Sequence, residues 1–400
     1  DMDASRRIPR TVWVLGGVSL FMDMSSELIH AVLPVYMTAV LGLSVLTVGI
    51  VEGIAEATAS ISKVFSGYVS DRFARRKPLV LLGYGLSALT KPIFPLADGA
   101  IGVVGARFAD RVGKGIRGAP RDALVADVTP PALRDAAYGL RQALDTVGAF
   151  VGPLLAMLFL WMWANDLRAV LWVAVVPAFA AVALIVAGVE EPDVARARAG
   201  SAPMRLASVA AMPPAFWRLI ALAALFALAR ISEAFLVLRA QEIGLPVVWI
   251  PMVMIVMSAV YSVASYPAGL LGARFGRGAL LAGSLVALVA AQGALAALSG
   301  SLGLWVGAGL WGLHMGLSQG GLSAAIAAVA PAASRATAFG VFHFVTGVFQ
   351  LASGAVAGWL WLRYGSALAF GSGAAWALLA LAVLATALPR AGAPAARVSH

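Results

Sequence analysis

The sequence contains no cysteine among its 400 residues, and only 12% of its residues are charged. The absence of cysteine excludes disulfide bonds, thiolate metal sites and cysteine nucleophiles. A soluble domain has about 25% charged residues, so the low charge argues against a soluble globular protein. Instead, 61% of the residues are hydrophobic, and apolar stretches long enough to cross a bilayer recur along the whole chain. The composition therefore indicates an integral membrane protein.

Acidic residues are scarce in the second half of the chain, where none follows Glu242. Any coupling of transport to ions by carboxylates is therefore expected almost wholly in the first half. The sequence also lacks a Ser-His-Asp constellation and any diagnostic spacing of metal ligands. We accordingly predict that the protein is not an enzyme and that it binds no cofactor and no structural metal.

The positions of the apolar stretches predict an all-α membrane protein with twelve transmembrane helices. Basic residues outside these helices concentrate in alternate connections, which by the positive-inside rule places both termini on the cytoplasmic side of the inner membrane. We attribute the net charge of +10 to this topology and not to a nucleic-acid partner. The first apolar stretch is too long for a signal-peptide core, so we expect it to remain as a helix. The predicted spans are 11–40, 46–69, 78–97, 100–127, 137–163, 168–189, 215–240, 247–272, 279–298, 301–329, 337–362 and 367–388.

Two motifs recur and divide the chain into halves. The segment 67–75, GYVSDRFAR, returns as GLLGARFGR at 269–277, and 130–139, PPALRDAAYG, returns as PAASRATAFG at 331–340. Two motifs that recur at nearly the same sequence offset indicate an internal repeat. The sequence therefore predicts a six-helix half at 1–189, a cytoplasmic linker at 190–214 and a second six-helix half at 215–400.

The repeated segments also resemble a known family. GYVSDRFARRK resembles the loop signature between helices 2 and 3 of the major facilitator superfamily, and RFADRVGKG resembles its fourth helix. GAFVGP, at 148–153, resembles the helix 5 motif of drug/proton antiporters in that family. The resemblance implies a monomeric secondary transporter with a substrate site at the membrane midplane and alternating access. The gating residues that it implies are Asp71, Arg72, Arg75, Arg134, Gly148, Gly152 and Pro153.

The fourth predicted helix departs from the family pattern because it is unusually rich in charge. Asp110 and Arg111 stand where the family usually has a polar amide and a small residue. At about 100° per residue, the charges between Arg107 and Asp122 share one flank of a helix. A charged side chain at the bilayer centre costs about 2.5–3.5 kcal/mol, so this flank must face the interior of the bundle. We expect Arg107 and Asp110 to pair with each other, and Arg111 and Lys114 to face a water-filled cavity.

Other helices supply further charged or polar candidates. Asp23, Glu27 and Glu56 are candidate proton carriers, because a carboxylate in a low-dielectric site binds a proton more readily. The alternative for these acids is a set of static salt bridges that hold the first half together. An ion pair within one helix is likewise an alternative for Arg230 and Glu233. The predicted substrate-binding residues are Arg111, Lys114, Asp110, His30, Glu52, Arg230, Glu233, His314 and His343.

These features predict proton-coupled export of a small organic molecule that carries an anionic or zwitterionic group. Import of an organic anion is an alternative, as is transport of a metal or metal chelate, because oxygen and imidazole donors suit transition metals. A membrane sensor that does not transport is an alternative of a different class. The predicted partners are the substrate, protons and the lipid bilayer.

Overall fold

A computed structural model describes residues 8–72, 76–190, 209, 212–319, 321–331 and 335–387. These residues form an all-α protein without β-strands, as the sequence predicts. The helices are α1 Arg10–Val35, α2 Val45–Arg72, α3 Lys77–Thr90, α4 Ile93–Leu96, α5 Ala100–Val128, α6 Arg134–Met162, α7 Leu167–Val173, α8 Val175–Gly188, α9 Pro214–Ala229, α10 Ala234–Glu242, α11 Met252–Phe275, α12 Arg277–Ala297, α13 Gly300–Ser318, α14 Gly321–Val329, α15 Arg335–Tyr364 and α16 Ser366–Ala387.

Ten helical segments among the described residues are long and apolar enough to cross a membrane. They coincide with ten of the twelve predicted spans. The remaining two are α5, which carries the dense charge noted above, and the span at 301–329, which is divided between α13 and α14. The fold is therefore that of a multi-pass membrane protein, with one charged helix inside the bundle.

The span predicted at 215–240 is present but interrupted, because the chain unwinds between Ala229 and Ala234. Unwound backbone inside a membrane protein needs other hydrogen-bond partners. Gln292 supplies one, since its Nε2 donates to the Ala229 carbonyl at 2.7 Å. Ser353 supplies another, since its hydroxyl donates to the Leu228 carbonyl at 2.9 Å. Side chains of α12 and α15 therefore stabilise the break.

Glycines allow close helix packing within and between the two predicted halves, 1–189 and 215–400, which we call the first and the second half. A methyl group on Gly148 of α6 would lie 2.2 Å from the Leu20 carbonyl oxygen of α1, which is far inside van der Waals contact. Between the halves, a methyl group on Gly49 of α2 would lie 2.2 Å from the Gly354 carbonyl oxygen of α15. Both pairs of backbones can approach this closely only because the residue is glycine.

Several contacts between the halves lie at one end of the bundle. We call this the far end, because it carries the connections 41–44, 163–166 and 243–246; the opposite end, where α1, α3, α6 and α12 begin, is the basic end. At the far end, Thr38 Oγ1 donates to Gln241 Oε1 at 2.9 Å. Further along the same interface, Ser60 Oγ donates to Gln350 Oε1 at 3.3 Å. The two halves are therefore joined from the far end to about the middle of α2.

Candidate functional site

The charged flank of α5 faces the interior of the bundle, as predicted. Arg107, Asp110, Arg111 and Arg117 are each at most 4% exposed. Lys114 differs, because its side chain is exposed although it lies halfway along the helix. The flank therefore has a buried part and a part that solvent reaches.

The buried part of the flank is joined to α2 and α1 by ion pairs. Arg107 Nε donates to Glu52 Oε1 at 3.1 Å, and Arg107 Nη2 donates to Glu52 Oε2 at 2.5 Å. Arg107 Nη1 also lies 2.7 Å from His30 Nε2. Arg111 hydrogen-bonds the same His30 nitrogen and pairs with Glu56 at 3.5 Å. We call these residues, together with Glu27, the central network: Glu27, His30, Glu52, Glu56, Arg107 and Arg111.

The histidine at the centre of this network has acidic and basic neighbours. His30 Nδ1 lies 3.3 Å from Glu27 Oε1, on the same helix. Because both arginines can only donate, His30 Nε2 accepts from them, and Nδ1 carries the proton that Glu27 accepts. His30 therefore links one carboxylate of α1 to two guanidinium groups of α5.

The expected pair between Arg107 and Asp110 is wrong. Asp110 instead pairs with Lys91, whose side chain is 1% exposed. Lys91 Nζ lies 3.0 Å from Asp110 Oδ1. The same ammonium donates to Ser26 Oγ at 3.1 Å. Lys91 was missed because it stands at the end of α3, immediately before Pro92, where it looks like an interfacial residue. A lone base inside a predicted span is the signal that could have identified it.

Two lysines present charge to solvent inside the first half. Lys63 of α2 and Lys114 of α5 are both exposed, and they are close enough for their charges to interact. No salt bridge joins either lysine to a carboxylate in the part of the chain that the structure describes. The expectation that Arg111 faces a water-filled cavity is therefore wrong, because Arg111 is 3% exposed, whereas the role of the exposed Lys114 stays a prediction.

Asp23 has another carboxyl group as its neighbour. Its side chain is close enough to that of Asp145 on α6 for their charges to interact. Two carboxylates at close range repel each other. Arg141 Nη1 lies 3.9 Å from Asp145 Oδ2, on the side toward the basic end. An acidic pair with one arginine beside it therefore lies between α1 and α6.

The unwound segment of the second half faces the central network. Arg230 and Glu233 form a 2.6 Å ion pair across the break, as the local alternative predicts. Both line a cavity of about 50 Å³, together with Glu52 and Glu56 of α2 and Gln350 of α15. This volume exceeds the roughly 10–15 Å³ that one water needs. The cavity lies between the halves, and charged groups of both halves line it.

The two predicted histidines of the second half occupy different positions. His314 of α13 is buried and lines a second cavity of about 210 Å³. His343 of α15 is partly exposed, stacks against Phe339 and meets Phe342 edge to face. Neither belongs to the central network, and no group of three or more His, Asp or Glu residues within the described ranges could hold a metal ion.

Only part of the predicted gate can be located. The side chains of Asp71 and Arg72 and the whole of Arg75 lie outside the described residues. Arg134 begins α6 at the basic end, and Gly148, Gly152 and Pro153 lie within α6. Gly152 packs against α1, since a methyl group there would lie 2.6 Å from the Met24 carbonyl oxygen. Next to the predicted gate, Arg76 pairs with Asp127 of α5 at 2.8 Å.

Membrane-spanning helices packed around an internal charged site define a polytopic membrane protein with polar groups inside its bundle. The Major Facilitator Superfamily model matches residues 15–261. An uncharacterised MFS-type transporter of Methanocaldococcus jannaschii is 32% identical over 382 residues, which cover 92% of this chain and 94% of that protein. The chain therefore belongs to the major facilitator superfamily.

Other similarities cover less sequence or only the fold. Multidrug resistance protein MdtH of Proteus mirabilis is 30% identical over 133 residues, about a third of each chain. The crystal structure of the nucleoside transporter NupG superposes with a TM-score of 0.78 at 14% identity, covering 95% of this chain and 99% of that one. At that identity the likeness supports the shared fold alone.

Proposed function

We propose that the protein exports a small organic molecule with an anionic or zwitterionic group, and that protons drive the export. The observation that carries this proposal is the pair of exposed lysines, Lys63 and Lys114, inside the first half. Two neighbouring ammonium groups that form no salt bridge with a carboxylate of the described residues repel each other and attract an anion. A substrate carboxylate, phosphate or similar group would relieve that repulsion.

The substrate would bind next to the central network and not inside it. Arg111 was the residue expected to bind the anion, but its guanidinium is buried and already meets His30 and Glu56. Lys114 lies one turn further along α5 and remains accessible to solvent. The central network would then connect substrate binding at Lys114 to the position of α2.

The carboxyl pair of Asp23 and Asp145 would carry the coupling proton. It lies between α1 and α6, and a proton bound there would relieve the repulsion between the two carboxylates. A movement of α6 relative to α1 would separate the carboxyls and allow the proton to leave. Glu27 and Glu56 are the next candidates, because each lies in the same half and is partly exposed.

Alternating access would begin from a conformation that is closed at the far end and open at the basic end. Thr38–Gln241 and Gly49–Gly354 are contacts at the closed side. Water would reach Lys63 and Lys114 from the basic end, which we assign to the cytoplasm together with both termini. In this orientation a monomer in the inner membrane would take its substrate from the cytoplasm, as an exporter does.

Flux in proteoliposomes with an imposed pH gradient tests the proposal. A panel of labelled organic anions and zwitterions would be screened with the wild type. The compounds that the wild type transports would then be tested with the Asp23→Asn/Glu27→Gln variant. These two substitutions should abolish flux driven by the pH gradient. Asp98→Asn is a matched control, since the Asp98 side chain is 86% exposed and pairs with Arg168 at the surface. Flux that persists in the double variant would contradict proton coupling through α1.

A further inference from the structure

The cavity of about 210 Å³ is lined wholly by residues of the second half, and its wall combines apolar and polar side chains. Phe226 and Ala227 of α9 and Phe342 of α15 form much of its wall, and hydroxyl groups such as that of Thr346 are interspersed. A protein cavity of about 150 Å³ can hold benzene, so this cavity has room for a fused bicyclic ring. Arg230 and Gln350 line both this cavity and the smaller one between the halves.

One buried polar group in the wall has no partner among the described residues. His314 is 1% exposed, and its Nδ1 lies 2.9 Å from the Ser284 carbonyl oxygen. A carbonyl can only accept a hydrogen bond, so Nδ1 must be the donor, and Nε2 of the neutral ring carries a lone pair. Within the described ranges no group hydrogen-bonds Nε2. A buried acceptor without a donor is energetically unfavourable, which favours any ligand that supplies one.

Building on the transport function proposed above, we propose that this cavity receives the apolar part of the substrate and that His314 Nε2 accepts a hydrogen bond from it. The substrate class is thus a compact cyclic or aromatic compound with an N–H or O–H group on its ring. A carboxylate has no hydrogen to donate and would be repelled by the Nε2 lone pair. The anionic end of the substrate would therefore lie toward Lys114, beyond Arg230 and Gln350.

A matched pair of probes isolates this hydrogen bond. Indole has an N–H donor, whereas 1-benzofuran has nearly the same size and shape without one. Their binding would be measured by equilibrium dialysis against the protein in lipid nanodiscs, with empty nanodiscs subtracted. We expect the wild type to bind indole about fivefold more tightly, as one neutral hydrogen bond provides. The assay needs neither transport nor a pH gradient, so its failure is distinct from failure of the proposed export.

Two variants link that preference to His314. In His314→Asn the side-chain amide can keep the bond to the Ser284 carbonyl, but no atom replaces Nε2, so the indole preference should disappear. Ala227→Phe fills the cavity and should abolish binding of both probes. The proposal is overturned if the wild type does not prefer indole, if His314→Asn keeps the preference, if Ala227→Phe still binds the probes, or if neither probe binds above the empty nanodiscs.

Discussion

The guanidinium of Arg107 and the carboxylate of Glu52 meet at two points, 3.1 and 2.5 Å apart, and so join α5 to α2. The pair is almost completely buried, with side-chain exposures of 2% and 9%. Since α2 is also the helix that packs against α15 of the other half, this ion pair connects the charged helix to the interface between the halves.

Removing one partner of this pair should destabilise the protein. Glu52→Gln leaves the Arg107 charge buried without its carboxylate, which costs about 3–5 kcal/mol for a buried pair. We expect a large fall in the apparent melting temperature of the purified protein. The double variant Glu52→Met/Arg107→Met should recover much of the loss, because an apolar pair carries no uncompensated charge.

A second ion pair serves as the matched control. Arg239 Nη1 of α10 lies 2.5 Å from Glu242 Oε2, but the Glu242 side chain is 37% exposed. An exposed pair contributes about 0–1 kcal/mol to stability. The melting temperature of Glu242→Gln should therefore be close to that of the wild type. Equal shifts for Glu52→Gln and Glu242→Gln would contradict the buried role of the Arg107 pair.

Lys91 and Asp110 should behave as a structural pair that is separate from transport. Lys91→Met leaves the Asp110 carboxylate buried alone, so we expect a strong loss of stability and little folded protein. Lys91→Met/Asp110→Leu removes both charges and should restore expression and melting temperature. Size-exclusion chromatography measures the yield of folded protein, and thermal unfolding measures its melting temperature. A stable Lys91→Met protein would show that Asp110 has another partner.

Arg111 and Lys114 should separate stability from substrate binding. Arg111→Met removes a cation between His30 and Glu56 and should lower the melting temperature strongly. Lys114→Met removes an exposed charge, so the melting temperature should stay near the wild type while transport of the anionic substrate falls. The comparison uses melting curves and flux of a substrate found in the panel. Normal flux in Lys114→Met would remove the main support for an anionic substrate.

Gly148 and Gly139 of α6 offer a test of close packing. A methyl group on Gly148 would overlap the Leu20 carbonyl, and overpacking of this kind costs about 1–3 kcal/mol. Nothing lies within 4 Å of a methyl group on Gly139. Gly139→Ala should therefore be neutral or stabilising in a helix, whereas Gly148→Ala should lower the melting temperature. Equal tolerance of both changes would show that α1 and α6 are not held together at Gly148.

The sequence predicts the membrane class and most helix positions because a run of about 18 or more apolar residues matches the thickness of the bilayer core. It also predicts that the α5 charges face inward, since a charged flank is excluded from lipid. It does not predict which charges meet. Lys91 and Asp110 lie on different helices, and their pairing depends on how α3 packs against α5.

The break between Ala229 and Ala234 could not be predicted from the local sequence either. Residues 230–233 contain neither glycine nor proline, so no local signal ends the helix at Ala229. The unwound backbone is stabilised by Gln292 and Ser353, which are distant in sequence. Long-range hydrogen bonds of this kind can be recognised only once the helices have been placed.

Distances between spin labels provide the most direct test of alternating access. The absence of native cysteine lets labels be placed by single substitutions. Val40 and Trp249 report on the far end, and Trp13 and Phe275 on the basic end; all four are at least 47% exposed. Double electron–electron resonance on each cysteine pair, in nanodiscs at high and low pH, should show two distance populations. We predict that the far-end distance lengthens in the same proportion of molecules in which the basic-end distance shortens. Distances that stay fixed at both ends, or that lengthen together, would contradict the account.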